Sequence, residues 1–244
     1  MSLYRILTLN IHKGFSAGNR KFTLERIRSC LRDTEANAVF LQEVVGDNTK
    51  KRKRVAGWPD GNQMEYLADS VWQHFAYGKN AIYQHGHHGN AILSEIPFSA
   101  SRNIDLSCYS FSRRGVLHGH TQEGVHLLCV HLGLFEKERQ RQVSQLIDYV
   151  ESTIPADEAL ILAGDFNDWR SKAHARIETR LGLMETGMAL RGSLAKTFPA
   201  FMPAFAMDRI YQRGFEVVAS RVLSGKPWTQ LSDHCALLAE LRRR

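Results

Sequence analysis

The run ALILAGDFNDW, residues 159–169, is an apolar stretch that stops at a glycine and delivers Asp165 and Asn167 two residues apart. Side chains alternate along an extended strand, so positions i and i+2 project the same way and can converge on one ligand. Other apolar runs carry similar polar punctuation: Asn10 in ILTLNIHKG, Glu43 in AVFLQEV, His131 in LLCVHLG, Asp208 in MDRIY, and the tripeptide Ser232, Asp233, His234. Carboxylates and amides are hard oxygen donors suited to Mg²⁺ or Mn²⁺, and the chain lacks the Cys/His spacing of a structural zinc site. The chemistry implied is hydrolysis assisted by a hard divalent cation. Because consecutive strand residues face opposite ways, Asp233 and His234 can share one site only if the chain bends there.

The elements that must position these groups follow from hydrophobic period. Strands are expected at 4–11, 38–43, 90–94, 114–120, 125–131, 159–164, 207–211, 215–222 and 235–241. Helices fit 23–33, 64–73 and 137–150, where Val143, Leu146, Ile147 and Val150 form one apolar stripe. Residues 46–63 read as a long loop. Strands and helices intersperse without a Pro/Gly/Ser-rich linker or repeat, so the expectation is one α/β domain over 1–244.

Composition sets outer bounds. With 43% hydrophobic and 23% charged residues the chain is of globular type, and no apolar run approaches the roughly 18 residues of a membrane span. The first residues read as a strand rather than a signal peptide, so a cytoplasmic, monomeric protein is expected. Cys30, Cys108, Cys129 and Cys235 lie far apart and are expected to be reduced, acting as small hydrophobes. The net charge of +7 favours polyanionic partners, nucleic acid or anionic lipid headgroups. The densest basic cluster, KKRKR at 50–54, reads either as a solvated loop or as a phosphate-tracking patch.

Taken in order, TLNI with Asn10, LQEV with Glu43, GNAILS at 89–94, SRRG at 112–115, VHL with His131, GDFN at 164–167, MDRI with Asp208 and LSDH ending at His234 span nearly the whole chain. This set resembles the endonuclease/exonuclease/phosphatase superfamily, metal-dependent phosphoesterases of DNase I-like fold. The block YGKNAIYQHGHHGNAILS further resembles an uncharacterised bacterial subgroup of it. The resemblance implies a four-layered α/β sandwich, two mostly antiparallel sheets packed face to face with helices outside. Glu43 would bind the catalytic Mg²⁺ or Mn²⁺, aided by Asn10, Asp233 and Asp165. Asp165 and Asn167 would position water and, with Asn10, hold phosphate. His234, paired with Asp208, would be the general base, giving activity that falls in acid. His131 would bind phosphoryl oxygens or protonate the leaving group, and Arg114 would touch phosphate. Abasic-site endonucleases of the superfamily carry aspartate where this chain has His12, and tyrosine at the place of His131, which points away from that branch.

Plainer readings compete at several positions. A calcium loop fails at Trp169 and Arg170, which occupy a ligand and a glycine position. His85, His87 and His88 read as a turn whose Asn90 caps the next strand, and His12 and Lys13 as either phosphate contacts or surface loop. Trp58, Trp72 and Trp228 read as packing, with Trp169 a candidate substrate contact. The stretch FPAFMPAFAM at 198–207 is either a buried approach to a strand or an exposed apolar lip. The expected function is therefore a Mg²⁺-dependent phosphodiesterase, first of all a nuclease. Alternatives are a phosphoesterase for phospholipid or phosphorylated metabolite, and a non-catalytic binding module on the same scaffold.

Overall fold

The computed structural model describes residues 3–69 and 71–244. One six-stranded sheet holds β1 (Leu3–Asn10), β2 (Ala38–Asn48), β3 (His74–Tyr83), β4 (Gly86–Ser94), β11 (Phe215–Leu223) and β12 (Ala236–Arg243), in the order β11-β12-β1-β2-β4-β3. The other holds β5 (Phe98–Asp105), β6 (Gly115–Thr121), β7 (Val125–His131), β8 (Ala159–Asp165), β9 (Met184–Glu185) and β10 (Asp208–Arg213), in the order β5-β6-β7-β8-β10-β9. Each sheet has one parallel pair, β1 with β2 and β7 with β8, among antiparallel neighbours. Parallel neighbours need a long crossover. The helices α1 (Leu24–Arg32) and α4 (Glu136–Thr153) supply it.

The central strands are apolar on both sides because both of their faces are covered. In β7 and β8, Leu127, Cys129, Ile161 and Ala163 point at the opposing sheet, where they meet Ile6, Phe40 and Leu237. Their neighbours Leu128, Val130, Leu160 and Leu162 point outward under the α4 stripe of Val143, Leu146, Ile147 and Val150. The first sheet repeats the plan, with Leu7, Leu9 and Leu41 covered by Ile27 and Leu31 of α1 and by Met64 and Leu67 of α3 (Gln63–Ala68). Full burial of each such side chain contributes about 1.5–3 kcal/mol. The result is the layered sandwich of two mixed sheets with helices on the outer faces.

Several expectations are corrected. Residues 46–63 are not one loop: β2 runs on to Asn48, whose side chain accepts from Lys51 N at 2.8 Å and starts the helix α2 (Thr49–Arg54). The helix expected over 64–73 stops at Ala68. Asn90 caps nothing; it lies inside β4, and its Nδ2 donates across to Gly115 O and Cys129 O of the other sheet, at 3.0 and 3.2 Å. The four cysteines are free, as expected. No helix among the described residues is long and apolar enough to cross a membrane.

Candidate active site

Register places three of the sought side chains in a row. His131 pairs with Asp165 across β7 and β8, and Asp165 pairs with Asp208 across β8 and β10, so all three stand at one end of the second sheet. The glycine before Asp165 is obligatory: Gly164 has φ +145°, and a Cβ there would lie 2.0 Å from Val130 O. From the first sheet, the end of β1 brings Asn10, whose Nδ2 donates to Asp165 Oδ2 at 3.1 Å. Asp165 Oδ1 accepts from Asn167 N at 2.9 Å, while Asn167, at φ +49°, donates Nδ2 to Leu132 O at 2.9 Å. His131 Nε2 and His234 Nε2 stand 3.5 and 3.8 Å from Asp165 Oδ2. Asp165, 1% exposed, is thus the hub on which both sheets close.

The 231–234 segment bends, as two consecutive polar residues in one site require. Ser232 Oγ donates to Asn10 O at 2.6 Å and fixes that bend on β1. His234 Nδ1 lies 2.8 Å from Asp208 Oδ2, and Phe198 packs on the ring at 4.9 Å between centroids. Thr197 Oγ1 also donates to Asp208 Oδ2, at 2.5 Å. Burial alone would strip His234 of its second proton, but the carboxylates of Asp208 and Asp165 outweigh it and raise the ring well above the usual histidine range. Burial pushes Asp165 up from the usual carboxylate range, with the His234 charge opposing. His131 moves the other way: burial, reinforced by the Arg114 guanidinium, keeps it neutral.

Glu43 reaches the site through a break in β2. Its backbone is left-handed, φ +58°, and the pairing with β4 slips between Leu41 and Val44. Such a bulge re-aims a side chain. Lys13 Nζ lies 3.1 Å from Glu43 Oε2. Burial works against the Glu43 charge, yet His131, Lys13 and His88 outweigh it and hold the carboxyl at about 2. Asp233, half-buried, turns its carboxylate toward His12 Nδ1, 3.8 Å away.

The donors here fit a divalent cation. Oxygen or nitrogen atoms of Asp165, Asp208 and His234 lie within 4.8 Å of one another. Asp208 Oδ1 is buried and accepts no hydrogen bond, and buried carboxylate oxygens are otherwise paired; Glu43 Oε2, also buried, has only the Lys13 ammonium beside it. Of the expected ligands Glu43, Asn10, Asp233 and Asp165, Asp165 belongs to this trio with Asp208 and His234, while Asn10 donates to Asp165 and Asp233 has His12 Nδ1 at 3.8 Å.

Residues 7–234 match the model of the Endonuclease/Exonuclease/phosphatase family. The chain belongs to that family. Family members hydrolyse phosphoester bonds, and this protein is such a hydrolase. Among relatives of the family it is 42% identical over 243 residues to the uncharacterized protein YbhP of Escherichia coli K12, covering 98% of this chain and 96% of that one. Its fold matches D. rerio TDP2 complexed with single strand DNA product, with TM-score 0.72, 18% identity, and 99% and 100% of the two chains covered. It also matches the Bacteroides thetaiotaomicron mannosyl-6-phosphatase Bt3783, with TM-score 0.72, 15% identity, and 98% and 99% covered.

Around this family site lie further groups, of which sequence reading passes over Asp168 and Arg209. His88 was read as part of a turn but stands in β4 beside Glu43; burial and the charge of Lys13 lower it to about 4. Asp168 is wholly buried, and Arg209, next to Asp208, donates Nη1 to its Oδ2 at 3.0 Å and Nη2 to its carbonyl at 2.7 Å. Arg114 lies at the start of β6, whose first residue Gly115 pairs with His131. Lys51 Nζ sits over the Phe15 ring at 4.5 Å and is coupled electrostatically to Lys13 and Glu43, so the basic cluster adjoins the site. The 198–207 stretch is neither all buried nor all lip: Phe198 packs on His234, while Phe201 and Met202 are 73% and 65% exposed. Trp169, half exposed, packs edge-on against Phe205 at 6.3 Å. Trp58 stacks on Phe22 and Trp72 is fully buried, as packing residues should be.

Proposed function

We propose that the protein is a Mg²⁺- or Mn²⁺-dependent phosphodiesterase of the cell interior that cleaves nucleic acid. The observation that carries the catalytic part is the convergence of Asn10, Glu43, His131, Asp165, Asp208 and His234 from both sheets on one edge. Glu43, Asp165 and Asn10 would hold the cation, aided by Asp233. The bound cation supplies positive charge against the phosphoryl oxygens and acidifies a water. Asp165 and Asn167 orient the attacking water. His234, held in one tautomer by Asp208, accepts its proton. Because His234 must be without its second proton to act as the base, activity falls in acid. Neutral His131 donates Nε2–H to a phosphoryl oxygen rather than protonating the leaving group. Arg114 adds charge where it develops.

Nucleic acid is favoured by the basic and aromatic surroundings, Lys13, Lys51 and Arg114 on one side and Trp169 on the other. The exposed Phe201 and Met202 favour a second substrate class, phospholipid. Turnover of an activated phosphodiester, with and without chelator, tests the chemistry in wild type, Asp165→Ala and His234→Ala. Loss of about 10²- to 10⁴-fold is expected for His234→Ala, which removes the positioned base, and a loss at least as large for Asp165→Ala, which removes a cation holder. Equal rates in all three proteins would end the assignment. A panel of DNA, RNA, phospholipid vesicles and sugar phosphates then separates the substrates, and faster turnover of vesicles than of DNA would favour the lipid class.

A further inference from the structure

At the far end of the second sheet a separate group of imidazoles gathers under α4. His120 and His126 are direct cross-strand partners of β6 and β7, His118 is two residues from His120 and so shares its face, and Glu158 immediately precedes β8. We propose that His120, His126 and Glu158 form a second metal site, of a type that takes Zn²⁺. Their ligand atoms lie within 4.8 Å of one another. His120 Nε2 is buried and has no hydrogen-bond partner, and His126 Nε2 is 2.5 Å from Glu158 Oε2.

The surroundings orient these atoms as metal-binding imidazoles require. A ligating histidine fixes its tautomer through the other ring nitrogen. His126 Nδ1 is 2.8 Å from His118 Nε2, and His118 Nδ1 is 2.7 Å from Tyr149 OH. His120 Nδ1 is 3.3 Å from Ser99 Oγ. Each outer nitrogen thus has a partner, which leaves both Nε2 atoms for a cation. Two imidazoles and one carboxylate make a donor set for Zn²⁺ rather than Mg²⁺, with a fourth position open to the adjoining cavity of about 270 Å³. His126 and His131 are five residues apart on β7, about 17 Å at strand rise, so this site is distinct from the phosphoesterase centre.

Binding replaces the hydrogen bond between His126 Nε2 and Glu158 by a bond from each to the cation, with the His126 proton carried on Nδ1 and donated to His118 Nε2. The His120 ring, stacked on His126 at 4.2 Å and 3°, must turn out of stacking to aim Nε2 at the same ion. Both moving groups are only partly covered, His120 being half-buried and the Glu158 side chain 42% exposed.

The test uses chelator-treated full-length protein in excess Mg²⁺, titrated with Co²⁺ as a spectroscopic stand-in for Zn²⁺. One equivalent should give a visible absorption band of tetrahedral intensity that Zn²⁺ bleaches. Glu158→Gln and His120→Ala, at partly exposed positions and with metal-free melting temperatures as a folding control, should each weaken binding by more than about tenfold. Asp165→Ala should leave the band unchanged. A band that survives both substitutions, is lost with Asp165→Ala, or never forms overturns the site.

Discussion

At the residue scale the central pair is His234 and Asp208. Asp208 Oδ2 serves both His234 Nδ1 and Thr197 Oγ1, so Asp208→Asn keeps the shape and removes the charge. His234 is raised above its ordinary value chiefly by Asp208 and Asp165, against burial. A raised histidine contributes stability that is complete below about pH 6.5 and is lost as pH rises through its folded value. Asp208→Asn should therefore bring the His234 ring titration back toward 6.5, followed by imidazole NMR in chelator, and lower kcat by about 10²- to 10⁴-fold. An unmoved titration would assign the upward shift to Asp165 rather than Asp208. Glu43 has the opposite sign. Held at about 2, its carboxylate contributes stability present above its usual 4.5 and lost as pH falls toward 2. In chelator, the melting temperature of wild type should fall more steeply between those limits than that of Glu43→Gln; parallel curves would contradict the charge pairing. The identities of Asp208, His234 and Glu43 were legible because each polar residue interrupts or follows an apolar run. Their pairings with Thr197, His88 and Lys13 were not, Lys13 reading only as a phosphate contact or surface loop, since nothing in local spacing shows which residue packs against which.

At the element scale the site depends on a loop tied down from behind. Asp168 follows Asn167 and accepts from Lys172 N and Ala173 N at 3.1 and 2.9 Å, as well as from Arg209. The same carboxylate lies 3.8 Å from Arg139 Nε of α4. One buried acid therefore couples the GDFN turn to β10 and α4. Removing one partner of a buried ion pair leaves uncompensated charge, costing about 3–5 kcal/mol. Asp168→Ala should lose about that much in denaturant unfolding and should lower phosphodiester turnover with it, whereas a change under about 1 kcal/mol would show the cluster to be solvated. Gly164→Ala should be comparably damaging through the contact with Val130 O. Elements covered on both faces, β7 and β8 above all, could be read from sequence as continuous apolar runs. The strands β3 and β5 could not: both lie at sheet edges, HFAYGKNAIY shows no hydrophobic alternation, and in FSASRNID the alternating positions Phe98, Ala100 and Ile104 are interrupted by Arg102 and are nowhere fully buried. The helix α2 escaped for a related reason, because TKKRKR buries nothing and is started by the Asn48 cap rather than by a packed face.

At the scale of the whole molecule, the net charge of +7 acquires a direction only once the fold sets Lys13, Lys51 and Arg114 around the carboxylate hub. A polymer of phosphates meeting such a rim releases counterions, and log KM should then rise with log salt by about 0.9 per contacted phosphate on duplex DNA, or about 0.7 on a single strand. A phosphorylated metabolite, with its phosphate held only at the centre, should show little of that slope. Lys51 is the informative residue, because it sits over Phe15 and Trp58, outside the carboxylate group, and would offer its ammonium to a phosphate beyond the scissile one if the substrate is nucleic acid. Lys51→Gln should leave kcat on an activated small diester unchanged while reducing the salt slope on DNA by about one contact's worth. If wild-type turnover of DNA is insensitive to salt, or if Lys51→Gln alters the small diester and the polymer alike, the basic rim does not track a polyanion and nucleic acid loses its place as the favoured substrate.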